Sequence, residues 1–135
     1  MSDQHPNVKI VNSMTSAIFD QDHDALAKIF TDDLDFHLRG PAPAAGDHRG
    51  VGGLLEAVGS LFEMTGGQIE LDQQFCVGVD GWAAEFEHAT LGRNGRDGAT
   101  MQSKNAFVYR VEGGRIAEMW MYLGARPDEA EAFFA

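Results

Sequence analysis

The sequence predicts an α+β fold in which a group of helices packs against an antiparallel sheet. Apolar residues recur at the three- and four-residue spacing of helices mainly before residue 67. From residue 69 onward they alternate with polar residues, as in strands that bury one face. Glycine-rich turns separate these alternating runs. At 135 residues, the chain matches one domain, residues 1–135, with its own hydrophobic core.

Three helices and one strand are predicted in the first half of the chain. Met14 and Ile18 lie on the apolar stripe of the first helix, and "ALAKIF" marks a short second helix. The run "LDFHL" then alternates, with Leu38 on its apolar face and His37 on the opposite face. The stretch "RGPAPAAGDHRG" is predicted as a loop, and "VGGLLEAVGSLF" as a third helix.

A meander of four strands is predicted after the third helix. The segments "VDGW", "GRNGRDG" and "EGG" mark its turns. In the first of these strands the apolar face from Ile69 to Val79 is interrupted by Gln73, which either a bulge or a pocket hydrogen bond would explain. After the last strand, Pro127 resembles the start of a short helix, with Phe133 and Phe134 available to fold back as a lid or plug.

The second meander strand carries the most pointed candidate for chemistry, His88. It shares a face with Trp82 and Phe86, opposite Glu85 and Glu87, and we assign the aromatic face to the interior. Neighbours in an apolar interior could tune an imidazole for proton transfer near neutral pH. The alternative is that His88 is a hydrogen-bonded core residue, which is the commoner role of a lone histidine on an apolar face.

The third meander strand supplies two further candidates. Asn105, Phe107 and Tyr109 share a bulky, uncharged face that we assign to the interior. Asn105 and Tyr109 could there hold or polarise a ligand oxygen. His37 is a second-tier candidate at the rim of the pocket, because alternation puts it opposite the apolar face of its strand.

The last strand indicates both a pocket wall and a subunit contact. Met119 and Met121 lie on its wholly apolar face, which we expect to point inward. The other face carries Glu118, Trp120 and Tyr122. Large aromatic side chains on an outer sheet face would form an exposed patch, so we expect a homodimer that buries them.

Charge and composition exclude some partners. The net charge of −11 would repel nucleic acid and anionic membranes, so neither is an expected partner. The start "MSDQHPNVK" lacks the layout of a secretory signal, and the only cysteine is Cys76. We therefore expect a cytoplasmic protein. The histidine spacings give no support for a metal site, and we expect no cofactor.

The segments "ALAKIFTDDLDFH", "HRG", "GRNGRDGA" and "VYRVEGGRIAEMW" resemble the NTF2-like superfamily, particularly its SnoaL-like polyketide cyclase and ketosteroid isomerase-like branches. The resemblance covers residues 8–123. It implies a cone, also called a cystatin-like roll, in which three N-terminal helices pack in a strongly curved antiparallel sheet. It also implies a deep apolar pocket and homodimers that pair through the outer sheet face.

The chain departs from the catalytic patterns of these branches. Ketosteroid isomerases use a first-helix tyrosine, a first-strand aspartate and a second aspartate in the meander, and Met14, Leu38 and Phe107 hold those places here. SnoaL-like cyclases tend to carry an acidic residue just after the last-strand tryptophan, where this chain has Met121. Any proton transfer would therefore have to use other residues.

Two functions remain open from the sequence. The first is a cofactor-independent isomerase, cyclase or dehydratase in which His88 is the general acid or base for a small apolar molecule, with Asn105, Tyr109 and His37 as further catalytic candidates. The second is a ligand-binding or dimeric assembly module without chemistry. In both, the expected pocket lining is Met14, Ile18, Leu38, Trp82, Phe86, Phe107, Met119 and Met121.

Overall fold

The computed structural model describes residues 4–135 and has the predicted α+β architecture. Helices lie mainly in the first half of the chain and the long strands in the second. In chain order the elements are α1 (Pro6–Asp20), α2 (His23–Ile29), β1 (Phe30–Arg39), β2 (Gly46–Arg49), α3 (Gly50–Thr65), β3 (Ile69–Val79), β4 (Trp82–Gly92), β5 (Thr100–Glu112), β6 (Arg115–Tyr122) and α4 (Pro127–Phe134).

The strands form one curved sheet in the order β2-β1-β6-β5-β4-β3. The predicted meander of antiparallel strands is confirmed in β3 to β6. Two features differ from the sequence-based expectation. Strand β1 pairs in parallel with β6, and the segment predicted as a loop contains the short edge strand β2. Periodicity identifies strands but carries no information on which of them become neighbours across a long connection.

Helix α1 is fixed at its start by polar contacts with the sheet. The ring of His5 accepts a hydrogen bond from the Asn7 backbone N–H, and Pro6 occupies the first turn, where no N–H is needed. The Asn7 side chain donates from Nδ2 to the carbonyl oxygens of Val79 (2.8 Å) and Trp82 (3.1 Å). These two residues flank the β3–β4 turn, so one amide joins the helix to that hairpin.

Strand β3 contains a bulge between Gln73 and Phe75. Before it, Gln73 pairs with Glu87. After it, Phe75 pairs with Phe86 on the outer face. The extra residue reverses which side chains point inward. Of the two explanations offered for Gln73, the bulge is observed, and the prediction that Phe75, Val77 and Val79 share the face of Ile69 and Leu71 is wrong.

The main core lies between the helices and the inner face of the sheet. Its fully buried members come from α1, α2, α3, β1, β5 and β6, among them Val11, Leu26, Phe30, Leu34, Leu54, Tyr109 and Ile116. A second cluster forms where α4 folds back on the sheet and places Phe133 against Leu91 and Met101. Between residues 4 and 135, no helix is both long and apolar enough to cross a membrane.

Candidate functional site

A cavity of about 110 Å³ lies between α1, α3 and the inner face of the sheet. Space for one water requires about 10 to 15 Å³ on this scale, so the cavity can hold several waters or a small organic molecule. Apolar side chains make up most of its wall, and five predicted lining residues are among them: Met14, Ile18, Phe107, Met119 and Met121. Leu38, also predicted, lines a second, adjacent cavity.

The orientation predicted for β4 is wrong. His88 is exposed, and Trp82 and Phe86 share its outer face, so none of the three lines the cavity. The His88 ring packs against the edge of Phe86 with ring centroids 5.4 Å apart. The inner face of the strand instead presents Glu85 and Glu87, which are only 5% and 6% exposed. The prediction failed because it assigned the more apolar face of each strand to the interior.

Although Glu85 is buried, both of its carboxylate oxygens accept hydrogen bonds. The Tyr109 hydroxyl donates to Oε1 at 2.9 Å, and Gln73 Nε2 donates to Oε2 at 2.6 Å. Gln73 Nε2 also donates to Asn12 Oδ1 at 3.1 Å, which links the pair to α1. Burial, then the negative charge of Glu85, hold the pKa of Tyr109 well above its ordinary value, so its hydroxyl keeps the proton that it donates.

Glu87 is held by a chain of two donors from β5. Ser103 Oγ donates to Asn105 Oδ1 at 2.5 Å, and Asn105 Nδ2 donates to Glu87 Oε2 at 3.0 Å. An ionised carboxylate can only accept hydrogen bonds, so the contact with Glu87 assigns Nδ2 to that side of the Asn105 amide and leaves Oδ1 to accept from Ser103. Glu87 Oε1 has no hydrogen-bond partner among residues 4–135, and Glu87 lines the cavity.

The surroundings of Glu87 suit a group that exchanges protons near neutral pH. The pKa of Glu87 is raised from 4.5 to about 7. Burial is the largest cause and raises it, the Asn105 hydrogen bond lowers it, and the negative charge of Glu85 raises it further. A carboxyl with this pKa is present in both protonation states at pH 7, so it can accept or donate a proton.

The predicted inward positions of Asn105 and Tyr109 are observed. Both are buried, at 2% and 0% exposure, and Asn105 lines the cavity. Their observed polar contacts are with Glu87 and Glu85, so each orients a carboxylate. Whether either contacts a ligand stays a prediction.

His37 lies on the outer side of the sheet, away from this cavity. Its Nδ1 is 2.8 Å from Asp47 Oδ1, its Nε2 is 2.7 Å from Glu118 Oε2, and its ring stacks on Trp120. Burial lowers the pKa of His37, but hydrogen bonds to the two carboxylates and their charges outweigh it and leave the pKa above the ordinary value. This arrangement braces β1, β2 and β6 against one another.

Glu85 and Glu87 were not assigned to the interior from the sequence, although the register of the β4–β5 hairpin would have indicated it. Glu87 pairs across the strands with Asn105, and Glu85 pairs with Phe107. Residues paired in this way project from the same face of a sheet. Since Asn105 and Phe107 were already assigned inward, a known β4–β5 register would have turned both glutamates inward as well. The sequence of the turn between β4 and β5 does not determine that register.

Comparisons with known proteins agree with this architecture. The structure superposes on Bal32a from a soil-derived mobile gene cassette with a TM-score of 0.81 and 20% identity, over 96% of this chain and 97% of that one. An NTF2-like protein from Burkholderia xenovorans LB400 gives a TM-score of 0.80 and 19% identity, over 98% of each chain. A proposed SnoaL-like polyketide cyclase from Jannaschia sp. CCS1 gives 0.74 and 14%, over 91% of each chain.

The fold is therefore that of the NTF2-like superfamily. The family model of the SnoaL-like domain matches residues 11–119, so the chain belongs to the SnoaL-like family. No curated protein matches the chain closely enough in sequence to count as a relative.

Proposed function

We propose that this protein is a cofactor-independent proton-transfer enzyme, of isomerase, cyclase or dehydratase type, that acts on a small apolar molecule bearing a carbonyl or hydroxyl group. Glu87 replaces His88 as the proposed general acid or base, since His88 faces away from the cavity. Membership of the SnoaL-like family and the fold shared with a proposed polyketide cyclase support this class of chemistry.

The observation that carries the proposal is the unpartnered Glu87 oxygen in an apolar cavity. A carboxylate normally avoids such an environment unless all its oxygens are hydrogen bonded. Oε2 is bonded to Asn105, whereas Oε1 is left for a ligand. A ligand carbon next to a carbonyl could lose a proton to Oε1, and the resulting carboxylic acid could return it to another atom of the same ligand. One group thus performs both steps, and no cofactor is required.

The surrounding polar residues are positioning groups in this proposal. Asn105 sets the direction of the Glu87 carboxyl, and Ser103 fixes Asn105. Glu85 raises the pKa of Glu87 through its negative charge, and Tyr109 and Gln73 hold Glu85 in place. A purely ligand-binding module, the alternative function, would have no need of a carboxyl poised at neutral pH.

Replacement of Glu87 by glutamine tests the proposal, because it preserves size and hydrogen bonding while removing the titrating proton. With 2-octanone as the probe in D2O, we expect the wild-type protein to accelerate deuterium incorporation next to the carbonyl. Glu87→Gln should lose about 100-fold or more of that acceleration. In the wild type the rate should rise with pH and level off above about 7, because the carboxylate form of Glu87 is the base. Mass spectrometry of the ketone measures both.

Two further variants make the result specific. Glu70→Gln removes an exposed carboxyl from the neighbouring strand and should leave exchange unchanged. His88→Ala should do the same, because this ring lies on the outer face. Full exchange in Glu87→Gln, or an equal loss in His88→Ala, would contradict the role of Glu87 and favour the alternative of a non-catalytic binding module.

We also propose that the protein is a homodimer paired through its outer sheet face, where Glu118, Trp120 and Tyr122 were predicted to form the contact. The support is an exposed apolar surface that includes residues of β3, β4 and β6. Tyr122 is 45% exposed, and Trp120 stacks on Trp82 of β4. The bulge adds Phe75 and Val79, at 54% and 61% exposure. An apolar patch of this breadth on a soluble chain is typical of a subunit interface.

A further inference from the structure

We propose that the natural ligand is elongated and neutral, with a carbonyl or hydroxyl at one end that meets Glu87 and an apolar chain that extends into a second chamber. This inference rests on the proposed function and names the substrate class for the same site. The second chamber is the adjacent cavity of about 60 Å³ between α3, the loop after β1 and α4.

The two cavities differ in their polar groups. The larger one contains Glu85, Glu87 and Asn105. The second chamber is lined by apolar side chains with Ser60 as its one polar side chain, and its wall includes Ala44 from the loop after β1 and Phe134 from α4. A ligand with one polar end and one apolar end would match this difference, because each end would find groups that replace its interactions with water.

Only a single layer of side chains separates the two cavities. Five residues line both: Phe36, Val58, Leu61, Met121 and Leu123. Among them Met121 has an unbranched side chain with several rotatable bonds, which adapts to its neighbours at small cost. A rotation of the Met121 side chain would join the cavities into one channel that leads from Glu87 toward Phe134.

The charges around the polar end favour a neutral head group. None of the residues that line either cavity is lysine, arginine or histidine. A carboxylate ligand would face Glu85 and Glu87 without a compensating cation, which is strongly unfavourable in an apolar site. A carbonyl oxygen, by contrast, can accept a hydrogen bond from Glu87 in its protonated form.

Binding of a homologous series of methyl ketones tests the inference without any need for turnover. From 2-hexanone to 2-decanone, we expect calorimetric affinity to rise about three- to fourfold for each added methylene that enters the second chamber. Ala44→Leu should fill that chamber from the loop and remove the gain for the longer ketones, while binding of 2-hexanone persists. The matched control Ala45→Leu changes the exposed neighbour and should behave as the wild type.

Several outcomes would overturn the inference. One is an affinity that does not change with chain length, and another is a gain per methylene that survives in Ala44→Leu. Octanoate binding as tightly as 2-octanone at pH 7 would overturn the neutral head group. These results are separable from the proposed function. Loss of exchange in Glu87→Gln together with no effect of chain length would keep the proton transfer and reject the elongated ligand. Full exchange in Glu87→Gln together with a gain in affinity per methylene would reject the proton transfer and keep the elongated ligand.

Discussion

Glu87 is a side chain that is costly for folding and that the proposed mechanism uses for proton transfer. It lies in an apolar cavity with one bonded and one free oxygen, next to a second carboxylate. Such a group is unfavourable in its charged form, and the protein therefore holds it partly protonated at neutral pH. The same feature should be visible in the pH dependence of stability.

Stability should fall as pH rises from about 4.5 to about 7. Across that window the folded state retains a proton on Glu87 that the unfolded chain has released, so deprotonation favours unfolding. A pKa raised from 4.5 to about 7 corresponds to at most about 3 kcal/mol. Glu87→Gln should match the wild type near pH 5 and be the more stable protein at pH 8, as measured by urea unfolding.

The comparison of the wild type with Glu87→Gln separates the contribution of Glu87 from those of the other titrating groups. His37 also has a raised pKa, so its contribution is present at low pH and is lost as pH rises through that pKa. This term is common to both proteins and cancels in their difference. A difference in unfolding free energy that stays constant from pH 5 to pH 8 would contradict a buried, proton-sharing Glu87.

At the level of single residues, the sequence predicted the apolar lining better than the acidic one. Met14 and Ile18 follow from helical spacing, and Phe107 from strand alternation. Alternation divides a strand into two faces but does not say which face is inside. Apolarity is the usual guide, and it fails in β4 because Glu85 and Glu87 are hydrogen bonded in the interior, whereas Trp82 and Phe86 lie outside.

At the level of elements, one buried amide contributes two hydrogen bonds to the contact between α1 and the β3–β4 hairpin. Asn7 is 7% exposed and donates to two carbonyl oxygens near the turn. Asn7→Ala leaves both carbonyls without this donor and should lower the free energy of unfolding by about 1 to 3 kcal/mol. Chemical denaturation measures the change.

Lys9→Ala provides the matched control on the same helix, since Lys9 is exposed and its replacement should change stability by less than about 0.5 kcal/mol. Equal stability of the Asn7 and Lys9 variants would show that the amide does not hold the hairpin.

The elements themselves were largely predictable, and their pairing was not. Turn sequences rich in glycine identify the three hairpins, and helical spacing identifies α1, α2 and α3. Strand β2 has only four residues and lies within a stretch rich in proline and glycine, so it carries no alternation signal. The parallel β1–β6 pair joins segments far apart in the chain, which local patterns do not record.

At the level of the whole molecule, the outer sheet face decides the expected assembly. Trp120→Glu would put a charge at the centre of the proposed contact, in a chain whose net charge is already −11. We expect dimers for the wild type and monomers for this variant in sedimentation experiments. Ala132→Glu adds the same charge at an exposed site on α4 and should remain dimeric. A Trp120→Glu protein that still sediments as a dimer would place the interface elsewhere.

The bulge in β3 has a consequence for how this protein can diversify. Because the strand changes sides at Gln74, its large apolar side chains lie on different faces: Ile69 and Leu71 line the cavity, whereas Phe75, Val77 and Val79 lie on the outer surface. If the proposed ligand and dimer exist, mutations at Ile69 and Leu71 would act on what enters the cavity, and those at Phe75, Val77 and Val79 would act on the subunit contact. A single inserted residue would then let selection adjust the proposed ligand preference and the proposed assembly along one strand with little interference between them.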